Sequence, residues 1–127
     1  MKKIIKNVGA FPLSKAIVHD HKFTMEISGQ IGVDAKTGEL VEGIENQTSK
    51  ILDNIKNILD DIGWNLTNVD KSTVYLSDMK DYAKMNEVYG KYFSKDHPTR
   101  TAMAVKALPR QALVEIACTA SGDKIVN

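Results

Sequence analysis

The sequence predicts an α+β fold in which two helices cover one face of a β-sheet. Two segments have apolar residues at the three- and four-residue spacing of an amphipathic helix, whereas several shorter segments are rich in strand-forming residues. A chain of 127 residues has room for one domain, so we expect a single domain, residues 1–127. Because two helices can cover only one side of a sheet, apolar residues on the other side would favour self-association.

The first part of the chain predicts three strands. Residues 3–8 form a candidate edge strand whose lysines discourage unwanted pairing, and residues 9–14 form a loop. Residues 16–18 and 23–27 follow as two strands, and the polar residues 19–22 between them are typical of a turn. We therefore predict that the second and third strands form a hairpin.

The histidine and cysteine residues predict neither a metal site nor a disulfide bond. His19 and His21 are two residues apart in the polar turn, with no third ligand nearby in the sequence, so we interpret them as solvated and assign no metal. Cys118 is the only cysteine, which excludes an internal disulfide bond and suits a reducing compartment. Its apolar neighbours predict a core residue.

Two glycines and a long helix occupy the next part of the chain. Gly29 and Gly32 interrupt a strand, and glycines so close together in a strand indicate a bulge or the close approach of a ligand. Residues 44–62 have a single apolar stripe and are followed by Gly63, so they predict an amphipathic helix.

The middle of the chain predicts another strand and another helix. Residues 69–76 are rich in β-branched and aromatic side chains, which predicts a central strand. Residues 81–93 predict a helix capped by Ser77 or Asp78, and this helix must end before His97, which precedes a proline. We interpret the aromatic side chains of this helix as core residues.

The last part of the chain predicts a strand, a turn and a second strand. The strands are residues 101–105 and 113–119, and Pro109 lies in the turn between them. Arg100 stands at the start of the first strand and Glu115 lies within the second, so we predict that both face a common cavity. From the residues alone, a surface ion pair for Arg100 and a solvated position for Glu115 remain alternatives.

Composition and charge argue against several classes of partner. Hydrophobic residues make up 43% of the chain and charged residues 26%, the usual mixture of a globular protein. A net charge of +1 provides no field that would attract nucleic acid or an anionic membrane. The basic N-terminal stretch is too short for a signal peptide, and no apolar run approaches the length of a membrane span. We expect a cytoplasmic protein.

Four segments of the chain have distinctive sequences. They are PLSKAI (12–17), ISGQIGVDAKTG (27–38), DMKDYAKMNEVY (78–89) and PTRTAMAVKALPRQALVEI (98–116). In this order they resemble the RidA/YjgF family, whose members are also called L-PSP endoribonuclease-like proteins. The resemblance extends over nearly the whole chain.

The resemblance implies a chorismate-mutase-like fold, with a mixed sheet and two helices on one face. It also implies a homotrimer in which the sheets pack around a threefold axis and pockets lie between subunits. Family members of the RidA type hydrolyse 2-imino or 2-enamino acids, such as 2-iminobutanoate and 2-iminopropanoate, to 2-keto acids and ammonia. The implied partner is thus a small imino or keto acid, and no cofactor or metal is implied.

The resemblance also implies roles for single residues. Arg100 matches the family arginine that holds the substrate carboxylate, for which a planar guanidinium offers two parallel donors. Glu115 matches the glutamate that positions or activates the hydrolytic water. Ser28 and Gly29 match the segment that lines the pocket, and Asn86 matches a polar helix position near it.

Two positions depart from the family pattern. Ala102 stands where many relatives have cysteine; the backbone contacts the ligand there, so we expect the change to be tolerated. Leu13 stands where many deaminases have a tyrosine that closes over the pocket. Leucine still provides an apolar wall, but it lacks the hydroxyl, whose hydrogen bond would contribute about 0.5–1.5 kcal/mol.

Two other functions are compatible with the family. One is a trimer that binds a small carboxylate, or regulates through it, without catalysis. The other is RNA cleavage, against which the near-zero net charge and the lack of a basic, aromatic surface argue.

Overall fold

Six strands and two α-helices form the framework of residues 1–126, which the computed structural model describes. In chain order they are β1 Lys2–Lys6, β2 Ser14–His19, β3 Phe23–Gln30, α1 Ile44–Asp60, β4 Val69–Leu76, α2 Tyr82–Tyr92, β5 Thr99–Ala104 and β6 Val114–Gly122. Short 3-10 turns precede β4, α2 and β6.

The main sheet has four strands in the order β3-β6-β4-β5. β4 and β5 run parallel and the other neighbours run antiparallel, so the sheet is mixed. The parallel pair forms because α2 returns the chain between β4 and β5. β1 and β2 form a separate antiparallel sheet. The α+β fold with a mixed sheet, and the central position of β4, are therefore confirmed.

Both helices pack on the same face of the main sheet, as predicted. Their buried side chains meet those of β4 and β6 in one apolar core, formed chiefly by Ile51, Leu52, Ile55, Leu59, Met85, Tyr89, Val74, Leu76, Val114 and Ile116. Burial of a side chain of this size contributes roughly 1.5–3 kcal/mol to stability. No described helix covers the other face of the sheet. The side chains on that face are only partly buried, and they include Thr73, Tyr75, Ala117 and Thr119.

Helix α1 lies within the predicted residues 44–62. It begins after Gly43, and Gly63 follows its last turn; their φ angles of +89° and +79° are ones that glycine adopts without steric cost. Neither described helix is both long enough and apolar enough to cross a membrane.

The predicted hairpin of residues 16–18 and 23–27 is wrong. β2 pairs with β1 and β3 pairs with β6, so residues 20–22 carry the chain from the small sheet to the main sheet. Strand-forming residues indicate an extended backbone, but tertiary packing decides which strand becomes the partner.

The small sheet is attached to the main sheet at both of its ends. At one end, Lys2 Nζ lies 2.9 Å from Asp70 Oδ1, and His19 Nε2 lies 3.6 Å from Asp70 Oδ2. At the other end, the backbone N–H of Ser14 donates to the carbonyl oxygen of Pro98 at 3.0 Å. Of the described residues, the apolar core includes none from 1–22. Polar contacts therefore attach this sheet.

The interpretation of His19 and His21 as solvated residues is also wrong. Both side chains are partly buried, and their ring centroids lie 5.1 Å apart. His21 Nδ1 lies 2.8 Å from the hydroxyl of Ser121, while His19 faces Asp70. The two histidines thus contact the main sheet because residues 19–22 pass the start of β4 and the end of β6 and do not form a hairpin turn.

Candidate active site

Arg100 lies near the start of β5, on the face of the sheet that the helices cover. It pairs with the buried Ser72 of β4, and paired residues direct their side chains to the same face. Arg100 Nη2 donates a hydrogen bond of 3.1 Å to the hydroxyl oxygen of Tyr82. The guanidinium carbon lies 4.9 Å from the centroid of the Tyr89 ring, which is a cation–π contact. Two tyrosines of α2 therefore hold the guanidinium.

The guanidinium of Arg100 keeps donors that the described residues leave without an acceptor. Nε and Nη1 are buried and have no hydrogen-bond partner among residues 1–126. The ion pairs found within this range involve other residues. Buried donors without an acceptor are unfavourable, and because the group is a cation these donors favour an anionic acceptor. A carboxylate fits their planar, charged geometry.

Tyr89 supports Arg100 from within the core. Its hydroxyl donates to Ser72 Oγ at 2.9 Å, and Ser72 Oγ lies 3.4 Å from Cys118 Sγ. Burial raises the pKa of the Tyr89 hydroxyl above its usual value, and burial raises the pKa of the Cys118 thiol to about 11. Both groups are therefore neutral at physiological pH and do not neutralise Arg100. The prediction that Cys118 is a core residue is confirmed.

Asn86 follows Tyr82 on α2, and Leu13 lies next to Phe11 in the loop before β2; each lines a cavity that Arg100 itself does not line. Asn86 is one helical turn after Tyr82, lines a cavity of about 480 Å³ and has a buried Oδ1 without a hydrogen-bond partner among the described residues. Leu13 belongs to the loop between β1 and β2 and lines a neighbouring cavity of about 260 Å³. Phe11 and His97 line both cavities. The Phe11 ring also packs against Tyr82, with centroids 5.7 Å apart.

Ala102 follows two residues after Arg100 on the same strand and pairs with the buried Val74. Its methyl group is therefore directed to the same face as the guanidinium. We call Arg100, Tyr82, Tyr89, Asn86, Leu13 and Ala102 the arginine half-site.

Glu115 lies on the other face of the sheet, next to Gly29. It pairs with Tyr75 on β4 and alternates with the buried Val114 and Ile116. The pairing of β3 with β6 shifts at residues 28–29, so the predicted bulge is present. A Cβ atom on residue 29 would lie only 2.9 Å from Glu115 Cδ, so glycine leaves room for the carboxylate. We call Glu115, Ser28 and Gly29 the glutamate half-site.

Within one chain, Arg100 and Glu115 do not face a common cavity, contrary to the expectation from the sequence. Their partners on β4 are Ser72 and Tyr75, which are three residues apart and therefore point to opposite faces. β4 also separates the two strands that carry them. The predicted strand, turn and strand exist, but the two strands are not neighbours in the sheet.

Tyr82 and Tyr89 are the contacts of Arg100 that sequence reasoning missed. Their seven-residue separation puts them on the same side of α2, and we interpreted both as core aromatics. That interpretation is correct for Tyr89, which is fully buried. It overlooks the hydroxyl of Tyr82, which bonds Arg100.

Comparison with known proteins identifies the family. Residues 5–121 match the family described as endoribonuclease L-PSP. The chain belongs to this family, which is the RidA/YjgF family. A RutC family protein of Pyrococcus horikoshii is 54% identical over 91 residues, which are 71% of this chain and 72% of that protein. The human 2-iminobutanoate/2-iminopropanoate deaminase is 41% identical over 110 residues, which are 86% of this chain and 79% of that protein.

Solved structures of the RidA/YjgF family have the same fold. The crystal structure of RidA from the Antarctic bacterium Psychrobacter superposes with a TM-score of 0.76 at 38% identity and covers 94% of both chains. The family and the fold class expected from the sequence are therefore confirmed.

Proposed function

We propose that this RidA-family protein hydrolyses reactive 2-imino and 2-enamino acids, such as 2-iminobutanoate and 2-iminopropanoate, to 2-keto acids and ammonia. The observation that carries the proposal is the guanidinium of Arg100, whose buried Nε and Nη1 lack acceptors among the described residues. A small acid would supply the carboxylate that these donors favour. The name of the human relative, an imine deaminase, supports the substrate class.

The proposed reaction requires both half-sites, so we place the active site between chains of a homotrimer. The sheet face that carries Glu115 is left uncovered by the described helices, which supports contact with another chain through this face. In such a trimer the arginine half-site of one subunit would meet the glutamate half-site of its neighbour. The pocket would then be complete only in the oligomer.

In this pocket each half-site would have a separate task. Arg100 would fix the substrate carboxylate, and Glu115 would accept a proton from a water molecule whose oxygen attacks the imine carbon. The electrons of the C=N bond would move to nitrogen, which takes up the proton from Glu115. Glu115 would then transfer the hydroxyl proton of the resulting carbinolamine to its amino nitrogen, so that the C–N bond breaks, ammonia leaves and the C=O bond forms. Leu13 would provide an apolar wall, and Ser28 and Gly29 would line the side of the glutamate.

A coupled assay tests the proposal. Threonine dehydratase and threonine generate the imine, and the protein should accelerate the release of 2-ketobutyrate. Arg100→Ala should abolish this acceleration, whereas Arg110→Ala should retain it, because Arg110 is exposed and its side chain donates to the backbone carbonyl of Gly38. Equal activity of the two variants would contradict the assignment of Arg100, and an inactive wild-type protein would contradict the proposed reaction.

A second candidate function is the binding of a small carboxylate without turnover. The position of Glu115 on the face opposite Arg100 favours it, since a chain that binds through the arginine half-site alone would lack the glutamate. In that case 2-ketobutyrate should raise the melting temperature of the protein, while imine hydrolysis stays at the background rate.

A further inference from the structure

Tyr82 has a hydroxyl group in contact with Arg100, whereas the leucine side chain at position 13 has no hydroxyl. We propose that Tyr82 is a positioning and specificity residue: its hydroxyl oxygen orients Arg100, and its own O–H donates to the carboxylate of the substrate. This inference rests on the proposed function and identifies a residue to which the resemblance assigned no role.

Two contacts, one with each tyrosine, restrict the guanidinium of Arg100 in different ways. The Tyr89 ring, 4.9 Å from the guanidinium carbon, limits movement of the group toward the core. The bond of 3.1 Å from Nη2 to the Tyr82 oxygen limits rotation of the group in its own plane. An arginine side chain has several rotatable bonds, so both contacts are needed to hold its remaining donors in one direction.

The O–H group of Tyr82 is free to donate a hydrogen bond within the described residues. A phenol oxygen accepts hydrogen bonds and carries one O–H donor. Its acceptor role is satisfied by Arg100, and within residues 1–126 the O–H has no acceptor. The hydroxyl contacts Nη2 of the same guanidinium whose Nε and Nη1 also lack acceptors there. A carboxylate that approaches the guanidinium would therefore meet an additional donor.

The surroundings of Tyr82 explain how the hydroxyl is held in place. Tyr82 begins α2 and is only partly buried, but its ring packs against Phe11 from the loop that contains Leu13. In many deaminases a tyrosine at the position of Leu13 brings a hydroxyl to the pocket from this loop. In this chain the loop contributes apolar side chains, and the hydroxyl comes from the helix.

The proposal predicts a specific kinetic change for Tyr82→Phe, which removes only the hydroxyl. Arg100 binds the carboxylate equally in the ground state and the transition state, so KM should rise while kcat stays nearly constant. The expected rise in KM is roughly threefold to tenfold, the usual effect of losing one hydrogen bond. The Kd of 2-ketobutyrate, measured by calorimetry, should rise by the same factor. The affinity for 2-ketobutyramide, which lacks the carboxylate, should not change.

Tyr92→Phe is the matched control. Its hydroxyl bonds Ser49 and Asp53 on α1, away from Arg100, so KM and Kd should keep the wild-type values. A merely structural role of Tyr82 would lower the melting temperature and the active fraction without raising KM. Wild-type KM and Kd in Tyr82→Phe would overturn the inference, even where Arg100→Ala confirms the proposed function. If the wild-type protein neither binds 2-ketobutyrate nor hydrolyses the imine, the proposed function fails, and the inference fails with it.

Discussion

Mixing two inactive variants should restore activity if the active site lies between chains. Arg100→Ala keeps the glutamate half-site intact, and Glu115→Gln keeps the arginine half-site intact. The two half-sites lie on opposite faces of one sheet, so in the proposed trimer each pocket would take one half from each of two neighbouring subunits. A pocket that combines Arg100 from a Glu115→Gln chain with Glu115 from an Arg100→Ala chain has both wild-type residues.

The expected amount of restored activity follows from the symmetry of a trimer. A mixed trimer contains two chains of one variant and one chain of the other. In either case only one of its three pockets combines an intact Arg100 with an intact Glu115. Each mixed trimer should therefore show roughly a third of the wild-type kcat.

The experiment requires mixed oligomers of known composition. Co-expression of the two variants with different tags, followed by purification on both tags, isolates the mixed trimers, and the threonine dehydratase assay measures their activity. Arg100→Ala chains that carry both tags serve as the inactive control. Mixed trimers as inactive as this control would refute the intersubunit site, because they would show that the two groups act within one chain or do not act together.

Two further predictions concern Glu115 and Cys118. Gly29→Ala should lower kcat about tenfold or more, because the new Cβ displaces the end of Glu115 and catalysis is sensitive to misplacement by about an ångström. The melting temperature should change little, since only the flexible end of that side chain moves. In a Glu115→Gln background Gly29→Ala should cause no further loss of kcat, and an additional loss would count against the mechanism. Burial raises the pKa of the Cys118 thiol from its ordinary value of 9.0 to about 11, so between these values the folded state keeps a proton that the unfolded state loses. The free energy of unfolding, from urea titrations, should therefore fall as pH rises above 9. Cys118→Ala should weaken this dependence, and an unchanged slope would show that another group causes it.

Much of the fold could be predicted because its main elements have local signals. The apolar stripe of α1 and the β-branched residues of β4 are properties of short segments, and both elements formed where these signals lie. The pairing of β2 could not be predicted in this way, since its partner β1 is separated from it by a loop and both neighbouring strands had suitable sequences. Asp70, which holds Lys2 and His19, gives no sign of this contact in the sequence.

The candidate site was harder to predict than the fold. The residue types of Arg100 and Glu115 were informative, but their relative orientation depends on which strand lies between them and on the register with β4. Tyr82 was misjudged because helical spacing indicates which side chains share a face and does not reveal that a hydroxyl will reach an arginine of a later strand.

The way the small sheet is attached has a consequence for how the protein can evolve. Residues 1–22 are outside the apolar core and are joined to the main sheet by polar contacts of Asp70 and Pro98. Apart from the contact of Phe11 with Tyr82, substitutions in the loop around Leu13 therefore leave the packing of the apolar core unchanged. Mutations can therefore accumulate in this loop while the scaffold that carries Arg100 is inherited unchanged.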